Sequence, residues 1–273
     1  MARPALNKDT RLCISLAARP SNIGTRFHNY LYEQLGLDFL YKACTTTDIA
    51  AAIGGVRALG IRGCSVSMPF KQDVLALVDH VESSARAINA VNTIVNNDGV
   101  LTAANTDYTA VQRLIAEHKL NTHDEVLIRG SGGMASAVAT AFRDSGFDTG
   151  TIVARNADSG LELAERLGYE WRSEVGDLRA PVIVNVTPIG MTGGPEEHEP
   201  AYGDDVIDAA QTVFDVVAVP SETPLIIAAR AAGKRVITGA EVIALQAAEQ
   251  FERYTGVRPS PQQVADASAY SRA

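Results

Sequence analysis

Hydrophobic and polar residues alternate along the chain in two repeating patterns. Short apolar runs such as Val126-Leu127-Ile128 have the composition of buried strands, and stretches with an apolar residue every three or four positions follow most of them. Alternating strands and helices are typical of an α/β protein with a mostly parallel sheet. Asp98-Gly99 predicts a tight hairpin turn between two of the runs. The apolar runs predict strands at 12–16, 39–43, 61–67, 93–95, 100–103, 125–129, 151–154, 182–186, 213–217 and 236–237.

Capping residues and glycines mark the ends of the predicted helices. Thr47-Asp48 and Thr223-Pro224 are typical helix starts, Pro69 can open a helix, and Ser159 with Glu162 fits a capping box. Helices are predicted over 24–35, 108–118 and, as the last one, 240–254, and further helices are predicted to end at Gly60, Gly146, Gly168 and Gly233.

A glycine-rich segment stands between a predicted strand and a predicted helix. Residues 130–135 read Gly-Ser-Gly-Gly-Met-Ala. Glycines there let the backbone turn sharply and approach a pyrophosphate, which the free N–H groups of the helix start can bind. Ala135 takes the place of a third glycine and is small enough for close helix–strand packing. A plain tight turn is the alternative, but the flanking strand and helix favour dinucleotide binding.

The end of the next strand indicates which dinucleotide is bound. In this fold an acidic residue there binds the adenosine ribose of NAD, whereas an arginine accommodates the 2′-phosphate of NADP. The chain reads Val153-Ala154-Arg155-Asn156, with no acid at the strand end. Arg155 therefore favours NADP, while nearby Asp158 keeps NAD open. The alternative for Arg155 is an ordinary solvated arginine.

Composition narrows the possible partners. The 273 residues suit one large or two ordinary domains, and 46% hydrophobic residues are ample for a core. A net charge of −8 argues against a nucleic-acid partner. No apolar run reaches about 18 residues and the N-terminus lacks a signal-peptide core, so we expect a cytoplasmic protein without a membrane span. The 3 cysteines and 5 histidines have no metal-ligand spacing, which predicts free thiols and no metal.

Two titratable residues stand where strands are predicted to end. Lys71 follows Ser65-Val66-Ser67-Met68-Pro69-Phe70, and Asp107 ends Asn105-Thr106-Asp107. The alternative for Lys71 is a solvated surface lysine, and the alternative for Asp107 is an aspartate that caps a helix. Together they suggest a lysine–aspartate pair at a domain junction, which could move the proton that accompanies hydride transfer from an alcohol.

At this point the motifs match a known family. The chain resembles the shikimate dehydrogenases over nearly its whole length, with the motifs in the family's order. The matching segments are Ser65-Val66-Ser67-Met68-Pro69-Phe70-Lys71 (family pattern N-V-T-x-P-x-K), Ala90-Val91-Asn92-Thr93, Asn105-Thr106-Asp107, Gly130-Ser131-Gly132-Gly133, Asn185-Val186-Thr187-Pro188-Ile189-Gly190-Met191, Phe214-Asp215-Val216-Val217, Thr223-Pro224-Leu225 and Gly239 through Gln246 to Gln250-Phe251.

The resemblance implies a two-domain α/β architecture and an activity. An N-terminal α/β domain, 1–107 with 243–273, would bind substrate, and a Rossmann-type domain, 108–242, would bind NADP. The family's last helix packs back on the first domain. Its members interconvert 3-dehydroshikimate and shikimate, usually with NADP, and relatives use quinate or NAD.

The resemblance also assigns roles to individual residues. Lys71 and Asp107 are implied as the catalytic pair. The implied substrate-binding residues are Ser15, Ser21, Ser65, Ser67, Asn92, Thr106 and Gln246. The implied cofactor-binding residues are Gly130, Ser131, Gly132, Gly133, Met134, Arg155, Asn185, Thr187 and Gly239.

Departures from the family pattern cluster on the substrate side. The family's first motif is S-x-S-P, but here Leu16-Ala17 follows Ser15, so the second serine is missing. The 17–28 segment is enlarged and carries Arg19, which could re-form the contact to the substrate carboxylate. Ser65 replaces the family's Asn, and Ala218 replaces a usual Tyr. These changes favour the divergent, shikimate dehydrogenase-like branch, with shikimate itself a poor substrate.

Three other readings remain open. The substrate could be quinate, an aminoshikimate or another cyclic hydroxy acid. The chain could be a low-activity regulator that binds cofactor or metabolite, although it retains Lys71 and Asp107. A tetrahydrofolate-type dehydrogenase has a related plan, but Asn105-Thr106-Asp107 and Gln246 argue against it. The sequence leaves monomer and homodimer equally open.

Overall fold

The computed structural model describes residues 3–272, which divide into two compact units. One comprises the residues up to Thr106 together with those from Ala244 onward, and the other is Asp107–Ile243. The sequence-based boundaries stood after residues 107 and 242; those of the structure stand after residues 106 and 243. Each unit is an α/β structure built on its own sheet, so the predicted fold class is confirmed.

The first unit contains a 6-stranded mixed sheet in the order β2-β1-β3-β5-β6-β4. Strand β5 runs antiparallel to both of its neighbours, and the other pairs are parallel. The strands are β1 (Arg11–Leu16), β2 (Phe39–Cys44), β3 (Gly63–Val66), β4 (His80–Val81), β5 (Thr93–Asn97) and β6 (Val100–Ala104). The helices are α1 (Ile23–Gln34), α2 (Ile49–Ala58), a 3-10 helix (Asp73–Leu77), α3 (Ser83–Arg86), most of α9 (Gly239–Thr255) and α10 (Pro261–Arg272).

Alternate residues of β1 and β3 enter two different hydrophobic layers. Ile14 and Val66 face a core that α2 and the 3-10 helix complete. Cys13 faces the opposite layer, which is rich in aromatic rings and is formed with α1, α9 and α10. A strand that is buried on both faces explains the continuous apolar runs in the sequence.

The predicted hairpin forms as expected. Asp98 and Gly99 have φ values of 52° and 91°, so both central residues of the turn are left-handed. This geometry matches the twist of the antiparallel pair β5–β6.

The second unit contains a 6-stranded sheet in the order β12-β11-β10-β7-β8-β9, and every neighbouring pair is parallel. The order reverses between β7 and β10, which is the switch point of a doubly wound fold. The strands are β7 (Val126–Arg129), β8 (Gly150–Val153), β9 (Glu170–Arg172), β10 (Val182–Asn185), β11 (Thr212–Asp215) and β12 (Arg235–Thr238). The helices are α4 (Thr106–Glu117), α5 (Gly133–Asp144), α6 (Ala157–Leu167), α7 (Asp204–Ala209), α8 (Pro224–Ala231) and the start of α9.

Two predicted helix starts are wrong. The side chain of Asn156 caps α6 by accepting from the Ser159 N–H at 3.2 Å, so Ser159 lies inside the first turn and forms no capping box. Pro69 stands in a turn, and the helical segment that follows is a 3-10 helix from Asp73. Asp48 and Thr223 cap α2 and α8 as predicted.

Several elements were not predicted. The strands β4 and β9 and the helices α3 and α7 are too short to show a hydrophobic period, and α10 follows the helix that the sequence analysis took as the last. Within residues 3–272 no helix has the length and apolarity required to cross a membrane.

Gly63 sets the approach of α9 to the first sheet. A Cβ atom there would overlap the ring of Tyr254, which is fully buried. We expect Gly63→Ala to lower the free energy of unfolding by about 1–3 kcal/mol through overpacking, as measured by urea denaturation.

Gly54→Ala is the matched control for that prediction. Gly54 lies exposed within α2 and its added methyl group would meet nothing within 4 Å. The exchange should raise stability by about 0.5–1 kcal/mol because alanine loses less backbone entropy. Equal effects of the two variants would contradict the packing argument.

Candidate functional site

The glycine turn joins β7 to α5 at the switch point of the second sheet. Gly130 has a φ of 129°, and a Cβ there would approach the backbone oxygen of Val186 to 3.0 Å. At Gly132 and Gly133 a Cβ would meet nothing within 4 Å. Gly132 occupies the N-cap of α5 and supplies no capping side chain. The turn therefore leaves an open cradle before the helix N-terminus, which fits a pyrophosphate.

A cavity of about 900 Å³ adjoins this turn. Its wall continues along the end of β8, the 173–176 segment, the loop after β10 and residues 200–203. Arg129 and Arg155 contribute positive charge to the lining, and Glu174 contributes negative charge. The Arg129 guanidinium donates to the Ala201 carbonyl, which attaches the 200–203 segment to β7. A cavity of this size accommodates a nucleotide.

Arg155 is exposed at the mouth of the cavity, directly after β8. The neighbouring Asn156 is engaged in capping α6. The Ser131 and Ser159 hydroxyls lie 2.8 Å apart and link the glycine turn to that helix. Asp158 is exposed in the first turn of α6. A cation and an acid, Arg155 and Asp158, therefore both lie exposed shortly after the end of β8.

Asn185, predicted as a cofactor neighbour, is hydrogen-bonded within the second unit. It is fully buried, its Nδ2 donates to Asp215 Oδ1 at 3.0 Å and to the Ile189 carbonyl, and its Oδ1 accepts from the Thr187 N–H and hydroxyl. All of its polar atoms are therefore used within the unit. Thr187 itself lines the cavity.

Asp215 is the buried acceptor at the centre of the same network. Its Oδ2 accepts from the Thr223 hydroxyl at 2.7 Å, and its Oδ1 accepts from the Val217 N–H at 3.0 Å as well as from Asn185. Burial raises the pKa of Asp215 to about 6, against the opposing effect of these donors. The carboxylate ties β10, β11 and the start of α8 together.

Two further predicted cofactor residues occupy element starts. Met134 is half-buried in the first turn of α5. Gly239 begins α9, and a Cβ there would overlap the carbonyl oxygens of Val216 and Val217. Glycine is therefore required at 239 for the backbone to pass this close to the β11 loop.

The first unit brings several predicted substrate residues together near the ends of β3 and β5. Asn92 is buried, and its Oδ1 accepts from the Thr106 N–H and the Thr93 hydroxyl, both at 2.8 Å. Its Nδ2 has no hydrogen-bond partner among the described residues. A buried donor without a partner is costly, so this amide is suited to meet a ligand atom.

Gln250 belongs to this cluster and was not predicted. Its Nε2 donates to the Thr93 hydroxyl at 3.0 Å, whereas the predicted Gln246 lies half-buried one turn earlier on α9. The sequence could have indicated Gln250, because it lies four residues after Gln246 and the two therefore share a helix face.

Four predicted serines are distributed over β1, β3 and the segments that follow them. Ser15 and Ser65 are register partners on adjacent parallel strands, so their side chains share a face. The Ser65 hydroxyl lies 2.7 Å from the hydroxyl of Tyr41. Ser21 and Ser67 are exposed after the strand ends.

The two predicted catalytic residues each follow a strand of the first sheet. Lys71 is half-buried in the turn after β3, where its carbonyl accepts from the Val91 N–H at 2.7 Å. Asp107 is 5% exposed in the first turn of α4, which follows β6. The 17–28 segment contains the exposed Arg19, and only its residues up to 22 form a loop, because α1 begins at Ile23. In the part of the chain that the structure describes, no group of three or more His, Cys, Asp or Glu could hold a metal ion.

Comparisons with known proteins agree with these motifs. Residues 22–94 match the model of the shikimate dehydrogenase substrate binding domain. The shikimate dehydrogenase-like protein of Haemophilus influenzae is 55% identical over 98% of each chain. The shikimate dehydrogenase (NADP(+)) of Chlorobium phaeovibrioides is 34% identical over 84% of this chain and 85% of its own.

Solved structures give the same picture. A shikimate 5-dehydrogenase-like protein, 54% identical, superposes with a TM-score of 0.97 over 98% of this chain and 100% of its own. The Thermus thermophilus shikimate 5-dehydrogenase in complex with NADP(H) and shikimate, 27% identical, has a TM-score of 0.86 over 96% and 99%. A quinate dehydrogenase from Corynebacterium glutamicum in complex with NAD, 26% identical, has a TM-score of 0.87 over 96% and 98%.

The raised pKa of Asp215 predicts a pH dependence of stability. A carboxyl whose pKa is about 6 in the folded chain and 3.8 in its ordinary state binds its proton more tightly when folded. Its stabilising contribution is fully present below about pH 4 and is lost as the pH rises through 6, by up to about 3 kcal/mol. Urea denaturation between pH 4 and 7 should show a flatter profile for Asp215→Asn than for the wild type.

The control is Asp177→Asn, which changes an exposed carboxylate of the same unit. Its profile should run parallel to that of the wild type. Parallel profiles for Asp215→Asn and the wild type would contradict the assignment to Asp215.

Proposed function

The chain belongs to the shikimate dehydrogenase family, as its motifs predicted, and we propose that it is an NADP-dependent dehydrogenase of a shikimate-like acid. The reaction is reversible hydride transfer between 3-dehydroshikimate and shikimate, or between the corresponding ketone and alcohol of a similar cyclic hydroxy acid. The observation that carries the proposal is the cavity beside an uncapped helix start and an open glycine cradle.

The second unit supplies the groups that would hold the cofactor. The N–H groups at the start of α5 bind the pyrophosphate, which approaches closely because Gly132 and Gly133 have no side chains. Arg155 binds the 2′-phosphate at the cavity mouth. Asn185 supports the wall indirectly, by holding Thr187 and the loop after β10. When bound, NADP supplies the hydride acceptor of the reaction.

The first unit supplies groups that suit a polyol acid. The unpartnered Nδ2 of Asn92 donates to a ring hydroxyl of the substrate, next to Thr106. Ser15 and Ser65 present hydroxyls from one face of the sheet and bind the carboxylate. Gln246 contributes a further amide one turn from the buried Gln250.

Lys71 carries the proton in this proposal. In ketone reduction the Lys71 ammonium donates a proton to the carbonyl oxygen as hydride reaches the carbonyl carbon, and its positive charge stabilises the negative charge that develops on oxygen. In alcohol oxidation the Lys71 amine takes the hydroxyl proton as hydride leaves the same carbon. Asp107, which the family pattern pairs with the lysine, orients Lys71.

The altered recognition residues lead us to propose that shikimate itself is turned over slowly. Ser65 stands where the family has an amide, so a substrate hydroxyl that this amide would hold loses its partner. Initial rates with shikimate and quinate, each with NADP and with NAD, test the activity. Low kcat and high KM for shikimate support the proposal, and the absence of turnover for both acids with both cofactors would overturn it.

Lys71→Ala tests the proton-transfer role. We expect kcat to fall by a factor of about 10²–10⁴, because a positioned acid–base group contributes on that order, while NADP affinity changes by less than about 3-fold. Steady-state rates and fluorescence titration with NADPH measure the two quantities. Lys42→Ala removes an exposed lysine of β2 and should leave both unchanged. An equal loss of turnover and of NADP affinity in Lys71→Ala would assign the lysine to binding instead.

Arg155→Ala tests the choice of cofactor. Losing a charge-assisted contact to the 2′-phosphate should raise KM for NADP by about 10- to 100-fold and leave KM for NAD within about 2-fold. Arg172→Ala is the control, since Arg172 ends the neighbouring strand exposed and paired with Glu170. A similar rise in KM for both cofactors would contradict the 2′-phosphate contact.

A further inference from the structure

A tyrosine hydroxyl lies buried in the first unit, immediately beside the proposed substrate-binding serines. Tyr41 on β2 is 2% exposed, and its hydroxyl is 2.7 Å from Ser65 Oγ on β3. Ser15 on β1 is the register partner of Ser65, and its hydroxyl also lowers the pKa of Tyr41 by hydrogen bonding. The phenol therefore lies within reach of both serines.

Contacts on every side hold this tyrosine in place. The Asn29 side chain bonds both backbone groups of Tyr41, at 2.7 Å to its carbonyl and at 3.1 Å to its N–H. The His28 ring stacks on the Tyr41 ring with centroids 4.3 Å apart and planes 10° from parallel. Gly24 approaches the hydroxyl, and a Cβ there would lie 3.6 Å from it. The tyrosine is rigid, whereas a serine hydroxyl is free to rotate about one bond.

The donor in this pair follows from acidity. Burial raises the pKa of Tyr41, so the phenol keeps its proton at neutral pH. A phenol is a much stronger acid than an aliphatic alcohol and is therefore the better donor of the two. With Tyr41 as the donor to Ser65 Oγ, the proton of Ser65 is available for a different acceptor.

We propose that Tyr41 is a positioning residue that fixes the Ser65 hydroxyl as a donor and so selects a substrate carboxylate oxygen as its acceptor. The proposal rests on the proposed function, because it takes Ser65 to touch the substrate. Tyr41 itself does not reach the ligand and acts only through the serine.

Tyr41→Phe removes the hydroxyl and keeps the ring that stacks on His28. We expect KM for shikimate or quinate, whichever the wild type turns over, to rise by about 10- to 150-fold, the range for a hydrogen bond to a charged group. We expect kcat and KM for NADP to stay within about 2-fold. In Tyr41→Phe/Ser65→Ala, KM should be no higher than in Ser65→Ala alone, because residues that act through one contact are not additive.

Tyr32→Phe is the matched control. Tyr32 belongs to the same aromatic core, is fully buried, and its hydroxyl has no hydrogen-bond partner within residues 3–272. The melting temperature of Tyr32→Phe should lie within a few degrees of that of Tyr41→Phe, and its KM should equal that of the wild type. A purely structural role of Tyr41 would give the two variants the same kinetics.

The methyl ester of the acid tests the carboxylate. Because a neutral acceptor forms a weaker hydrogen bond, the ratio of KM between Tyr41→Phe and the wild type should be smaller for the ester than for the acid. Equal ratios would overturn the assignment to the carboxylate. An unchanged KM in Tyr41→Phe, or additive effects with Ser65→Ala, would overturn the role of Tyr41 while the wild-type activity stands. Absence of wild-type turnover would overturn the proposed function and this role together.

Discussion

The register of the parallel strands in the second unit is the constraint on which its site depends. Arg129 pairs with Val153 and with Asn185, Asn185 pairs with Asp215, and Asp215 pairs with Thr238. The carboxyl ends of these strands are therefore level, and every loop that follows them leaves from one edge. A shift of one residue in any pair would turn each buried side chain to the opposite face and remove the glycine turn from the cavity wall.

Buried amide side chains in the two units differ in whether their hydrogen-bonding atoms are all used. The amide of Asn185 uses all of its hydrogen-bonding atoms on neighbouring loops, while the amide of Asn92 in the first unit keeps Nδ2 without a partner. Both are buried asparagines within family motifs, and residue type does not distinguish them. The distinction lies in the partners of each Nδ2: that of Asn185 donates to Asp215 Oδ1 and the Ile189 carbonyl, whereas that of Asn92 has no partner within residues 3–272 and, in the proposed function, meets the substrate.

In the first unit, the role of a hydroxyl group also depends on its hydrogen-bond partners. A serine on a strand end can point its proton in several directions, so its chemistry depends on what lies behind it. The buried phenol of Tyr41, held by Asn29 and His28, provides that support for Ser65. The aromatic core formed with α1, α9 and α10 thus determines the geometry of a polar group at its edge.

The sequence by itself determined the features whose causes are local. Apolar periodicity predicted the longer strands and helices, aspartate and glycine predicted the hairpin at Asp98-Gly99, glycine predicted the turn at Gly130, and the order of motifs predicted the family. Tertiary structure decided what depends on partners distant in the chain. It added the short elements and α10, paired Asn185 with Asp215 across 30 positions, and brought Gln250 to Thr93 across 157 positions. The physical reason is that a hydrogen bond or a packed face exists only once both partners are in place, and the local pattern around either one contains no record of the other.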